Sequence, residues 1–126
     1  MQKEFVPYDL AVKLKELGFN ERCFGYYLED GTRVPASYSK EGTVYPSNTD
    51  LSPEWSAAPL YSQAFRFFRE KKYQSEILWR GDFGDFCWKI GRFKYGSHFF
   101  SDDGFSTCEE AELACLQKLI EIVKTK

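Results

Sequence analysis

The C-terminal stretch constrains this chain most. Ser106 or Thr107 is placed to cap a helix, and Glu109 or Glu110 stands three residues on, the spacing of a capping box. Glu109, Glu110 and Glu112 then put negative charge at the positive end of the helix dipole. Ala111, Cys115, Leu119 and Ile122 recur at helical spacing, and Leu116, Ile120 and Val123 widen the stripe. A helix that is apolar over so much of its girth needs a broad surface to lie on. The residues before it predict one. Ile77 and Trp79 alternate with Leu78 and Arg80, Gly81-Asp82-Phe83-Gly84-Asp85 supplies a turn, and Phe86, Trp88 and Ile90 share a face of the returning strand. The alternation changes phase at Gly91, which predicts a bulge there. Gly96 to Phe100 adds a short third strand.

Upstream, Leu10, Ala11, Leu14 and Leu17 form the apolar stripe of a helix from Tyr8 to Leu17, stopped by Gly18, after which Phe19 folds back. Cys23 to Leu28 and Thr32 to Val34 flank Asp30-Gly31, the signature of a hairpin. A second helix runs from Leu60 to Lys72, with Pro59 at its first turn. Leu60, Tyr61, Ala64, Phe67 and Phe68 share one side of it, and Arg66, Arg69 and Glu70 the other. Between these, from Pro35 to Pro59, regular patterns vanish except for a short strand at Gly42 to Tyr45. A loop that long in a compact domain is usually functional or disordered, and Tyr38, Tyr45 and Trp55 argue against full disorder. The expected fold is α+β, one domain over residues 1–126. Three helices pack on an antiparallel sheet in the order α-β-β-loop-α-β-β-(β)-α. Its core centres on Leu14, Leu17, Phe68, Trp79, Trp88, Ile90, Leu116, Leu119 and Ile120. With 126 residues, 18% of them aromatic, such a core needs no staples.

Three stretches carry a resemblance: LAVKLKELGF, APLYSQAFRFFREK and EEAELACLQKLIEIVK. Together they resemble a family of small uncharacterised proteins of phages, prophages and mobile elements of gut anaerobes. The likeness spans most of the chain and is weakest from Arg33 to Trp55. It implies an accessory gene product in the cytoplasm of a bacterial host, and assigns chemistry to no residue. The element order from Leu60 onward is also similar to that of a double-stranded-RNA-binding domain. That family grips phosphates with lysines at the start of its last helix, where this chain has Glu109, Glu110 and Glu112, so that mode of binding is not expected.

Chemistry-bearing patterns are sparse. Cys23, Cys87, Cys108 and Cys115 form no C-x-x-C pair, and His98 is the one histidine, so neither a metal nor a cofactor is expected. Cys108 and Cys115, roughly 10 Å apart on a helix, are too distant for a disulfide. Free thiols suit a reducing cytosol. The opening MQKEFVPYDL lacks a signal-peptide core, and no apolar run is long enough to span a bilayer. His98 with Cys87, or with a nearby carboxylate such as Asp102 or Asp103, is a candidate nucleophile and base, but the local GSHFFSDDG matches no catalytic motif. Glu112 falls inside the apolar arc of the last helix, where burial would raise its pKa. Arg80-Gly81-Asp82 reads as turn residues.

Charge is uneven. Residues 1–61 hold six basic and nine acidic side chains, residues 62–98 eight and four, and residues 99–126 three and six. Arg66, Arg69, Lys71, Lys72, Arg80, Lys89, Arg92 and Lys94, interleaved with Phe65, Phe83 and Phe93, are candidate nucleic-acid contacts. Against this stands a pI near 5.5. The reading that fits best is a non-enzymatic protein that binds a protein partner through Tyr38, Tyr45 and Trp55. A homodimer or a partner site is expected on the helix-free face of the sheet, through Leu78, Cys87 and Phe83, unless the N-terminal hairpin or the long loop folds over that face.

Overall fold

The structure, a computed structural model, describes residues 4–39, 42–92, 98–100 and 104–124, with only the main chain described at 37–39 and 98–100. It is α+β, with three helices and antiparallel strands. The chain forms two compact units, Met1–Ala64 and Phe65–Lys126.

In the first unit, helix α1 (Tyr8–Glu16) buries Leu10, Ala11 and Leu14, while Leu17, expected in the core, is half-buried at its C-cap. Gly18 takes φ 100°, and the Phe19 N–H donates to the Leu14 carbonyl, turning the Phe19 ring into the core. The hairpin of β1 (Gly25–Tyr27) and β2 (Arg33–Pro35) turns at Asp30-Gly31, where an Asp30 carboxylate oxygen accepts the Thr32 N–H at 2.9 Å. The stretch expected to be irregular contains further strands. β3 (Ser37–Ser39) and β4 (Gly42–Val44) form a separate two-stranded hairpin, and β5 (Ser56–Ala57) pairs with β1 in a sheet of order β2-β1-β5. Gly25 is needed in this sheet, because a Cβ there would lie 2.6 Å from the Val34 carbonyl oxygen.

Helix α2 (Tyr61–Glu70) starts one residue later than expected. The Gln63 side chain accepts the Leu60 N–H at 2.9 Å, and Lys72, at φ 75°, ends the helical turn. In the second unit, β6 (Tyr73–Arg80) and β7 (Asp85–Arg92) pair along their whole length, and β8 (His98–Phe100) adds to β7. The register stays unbroken through Gln74 opposite Gly91, so there is no bulge at Gly91. The apparent slip in the sequence ended on Phe93 and Tyr95, which lie outside the described residues.

Helix α3 (Cys108–Lys124) is capped as expected, with Thr107 Oγ1 accepting the Glu110 N–H at 3.1 Å. It buries Ala111, Cys115, Leu116, Leu119 and Ile120. Trp88 and Ile90 are buried and Ser75 bears on the Cys115 thiol, which places α3 on the sheet face of Ser75, Ile77, Trp88 and Ile90. Trp79 shares that face but is 60% exposed. It pairs with Phe86 beside the β6–β7 turn, with ring centroids 5.0 Å apart, so its expected place in the core is corrected. The described strands therefore divide among three small sheets, where the sequence predicts one.

Candidate binding surface

Alternation along β1 sends Tyr27 to one face, where its hydroxyl donates to the Val6 carbonyl at 2.7 Å and its ring meets Tyr8 of α1. Phe24, Tyr26 and Leu28 point to the other face. The irregular stretch folds back onto those residues. Tyr45 stands edge-on to Phe24 at 5.5 Å, and Trp55 stacks on Tyr26 at 5.3 Å with 23° between the rings. Phe24 is 52% exposed and Tyr45 40%. Trp55 also lines a shallow groove with Leu28, Glu29 and Asp30. Tyr45 and Trp55 of the loop, with Phe24 just before β1 and Tyr26 on it, thus make one aromatic row with an acidic margin. Tyr38 lies on β3, and its side chain is outside the described residues.

The row is held by polar contacts from distant parts of the chain. Asn48 Nδ2 donates to the Phe19 carbonyl at 2.7 Å, and Asn48 Oδ1 accepts the Ala57 N–H at 2.8 Å. The Thr49 N–H donates to Asn20 Oδ1, the Cys23 N–H to the Pro46 carbonyl, and Arg22 Nη1 to the Tyr45 carbonyl. Lys15 Nζ reaches the carbonyls of Pro53 and Trp55, each at 2.7 Å. Phe24 and Tyr26 were missed as site residues. Their alternation with Tyr27 was the available signal, since an aromatic on each face of a strand cannot face one core.

The basic residues do not gather. Arg66, Arg69, Lys71 and Lys72 are exposed on and just after α2, with Lys71 over the Phe67 ring. Arg92 shares the α3 face and lies over the Tyr73 ring at 5.6 Å. Lys89 sits on the opposite face across from Glu76. Arg80, also on that face, binds both Asp85 oxygens at 2.7 and 2.8 Å and stands over Phe83. That pairing holds the Asp85 carboxyl below its usual range, and a Cβ on Gly104 would run into it. Lys94 lies outside the described residues.

The face of β6 and β7 opposite α3 carries Gln74, Glu76, Leu78 and Arg80 across from Gly91, Lys89, Cys87 and Asp85, with Cys87 buried. Its apolar content is Leu78 and Cys87, while Phe83 stands out at the turn, 74% exposed. For the nucleophile set, His98 pairs with Gly91, four residues along the strand from Cys87, or about 13 Å. The His98 side chain, Asp102 and Asp103 are outside the described residues. Burial pushes the Cys23 and Cys115 thiols up to about 12 and raises Cys108 as well, the opposite of what a nucleophile needs. Among the described residues no cluster of His, Cys, Asp and Glu is placed to hold a metal, and no helix is long and apolar enough to cross a membrane.

Glu112 is half-buried, and the Cys108 thiol donates to it at 3.8 Å. Desolvation raises its pKa above the ordinary 4.5, outweighing that hydrogen bond. The folded state thus holds the proton more tightly than the unfolded chain. Ionised Glu112 costs stability at neutral pH, and the cost fades as pH falls through the raised folded value towards 4.5. Glu112→Gln should therefore raise the urea midpoint at pH 7 and give no gain at pH 4, as denaturation at the two pH values will show.

No protein-family model, curated protein or solved structure matches this chain.

Proposed function

We propose that this chain is a non-enzymatic, cytoplasmic accessory protein of phage type that works by binding a protein partner. Its binding surface is the aromatic row of Phe24, Tyr26, Tyr45 and Trp55, together with Tyr38. The observation that carries this reading is the return of the loop aromatics onto the β1 segment, with Tyr45 on exposed Phe24 and Trp55 on half-buried Tyr26. Sequence that only needed to close a loop would leave those rings out or bury them. Large, stiff aromatic side chains offer contact area at little entropy cost, which suits anchors of an interface. The phage context rests on the resemblance of the helical stretches.

Tyr45→Ala with Trp55→Ala should leave the far-ultraviolet circular dichroism spectrum unchanged. It should weaken the partner captured from bacterial lysate by roughly a thousandfold, as expected for two anchor residues. Capture of the same partner with undiminished affinity contradicts the reading. The alternative is nucleic-acid binding, favoured by the exposed run Arg66, Arg69, Lys71 and Lys72. Retention on heparin or single-stranded DNA that falls steeply with salt would support it.

A further inference from the structure

We propose that β6 pairs edge to edge with β6 of a second copy of this chain, antiparallel about a two-fold axis, joining two three-stranded sheets into one. β6 is an edge in the order β6-β7-β8, and no other described strand pairs with it. Along such a strand every second residue turns its N–H and C=O outward, a template for another strand. Edges that stay monomeric are usually short, covered or free of large apolar groups. This one is eight residues long and carries Leu78, 38% exposed, and Trp79, 60% exposed, near its end at Arg80.

The side chains choose both the occupant and the register. On the face opposite α3, Glu76 already faces Lys89 across one edge of β7, and Arg80 faces Asp85 and binds it. A two-fold axis perpendicular to the sheet keeps each face with itself, so directly opposed residues must share a parity. Centring the axis on Leu78 sets Glu76 against the partner subunit's Arg80. Each row across the joined sheet then reads Lys89, Glu76, the partner's Arg80, the partner's Asp85, with charges alternating in sign. Leu78 meets the partner's Leu78 between the two rows, and on the other face Trp79 meets the partner's Ile77. Centring on Glu76 sets that carboxylate against the partner's Glu76, and centring on Ile77 leaves Glu76 against the partner's Leu78. Opposite charges in directly opposed positions stabilise a sheet, and like charges oppose it. The strand is therefore complementary to itself in one register. This pairing does not involve the aromatic row of the first unit, so the two proposals stand or fall separately.

Sedimentation of the whole chain should show a concentration-dependent dimer of twice 14.7 kDa. Glu76→Arg should weaken it about tenfold, since it places like charges at two symmetric positions. Leu78→Cys, at the axis, should form a disulfide-linked dimer under mild oxidation, because opposed Cβ atoms lie within disulfide reach. Gln74→Cys, exposed on the same face but far from the axis, should not, and neither should the wild type. A wild-type chain that sediments as a monomer throughout overturns the proposal. So does a dimer that Leu78→Cys fails to link, or one that Gln74→Cys links equally well.

Discussion

Leu119→Ala is expected to lower the stability of the second unit by roughly 3–4 kcal/mol. Leu119 is fully buried on α3, whose apolar face also buries Ala111, Cys115, Leu116 and Ile120. Removing its branched end withdraws that apolar volume from a packed interior and leaves a cavity among the other buried side chains of α3. Urea denaturation followed by far-ultraviolet circular dichroism will report the change. Leu119→Met, which nearly keeps the volume, should cost less than about 1.5 kcal/mol. Equal costs for the two substitutions would mean that α3 packs loosely on its sheet.

Asn48→Ala should cost about 2–3 kcal/mol and undo the aromatic row while sparing the second unit. Its amide donates to the Phe19 carbonyl and accepts the Ala57 N–H, and both bonds are partly buried. Each bond contributes about 1 kcal/mol net, and each main-chain group left unpaired adds a desolvation cost. Ala57 belongs to β5, which brings Trp55 to Tyr26, so losing the amide frees that edge of the sheet. Hydrogen exchange should show lost protection at residues 46–57 and unchanged protection along β7. Asn48→Asp should be no better, because its second oxygen faces a carbonyl. Protection retained at Ala57 in the Asn48→Ala protein would show that the strand pairing alone holds the loop.

Much of this arrangement can be read from local sequence, and the rest depends on contacts between distant residues. The Asp30-Gly31 turn, the Thr107 cap, the Gly18 stop and the β6–β7 turn are each decided by a few neighbouring residues, and each appears where local chemistry puts it. Period-two alternation also set Trp79 on the correct face. What alternation does not carry is how far along a strand the covering helix reaches, and Trp79 lies beside the turn, exposed. The stretch from Pro35 to Pro59 was opaque for a related reason. Its segment from Tyr45 to Trp55 is held by Asn20, Phe19, Lys15 and Arg22, residues more than twenty positions away, and no local pattern announces such bonds. Tyr45 and Trp55 were legible as unusual aromatics in a polar run, but Phe24 and Tyr26, their partners, read only as strand residues. The basic segment shows the converse: residues close in sequence are spread by the strand pleat over two faces and matched with Asp85, Glu76 and the Tyr73 ring.

The central claim is that the row from Tyr45 to Trp55 receives a protein partner. The most direct measurement is a nuclear magnetic resonance titration of the isotope-labelled chain with the partner recovered by capture. The account predicts that the ring and main-chain signals of Phe24, Tyr26, Tyr45 and Trp55 shift together and saturate at one partner per chain, while those of Arg66, Arg69 and Lys89 stay in place. Shifts confined to the basic residues, with the aromatic row unmoved, would contradict it.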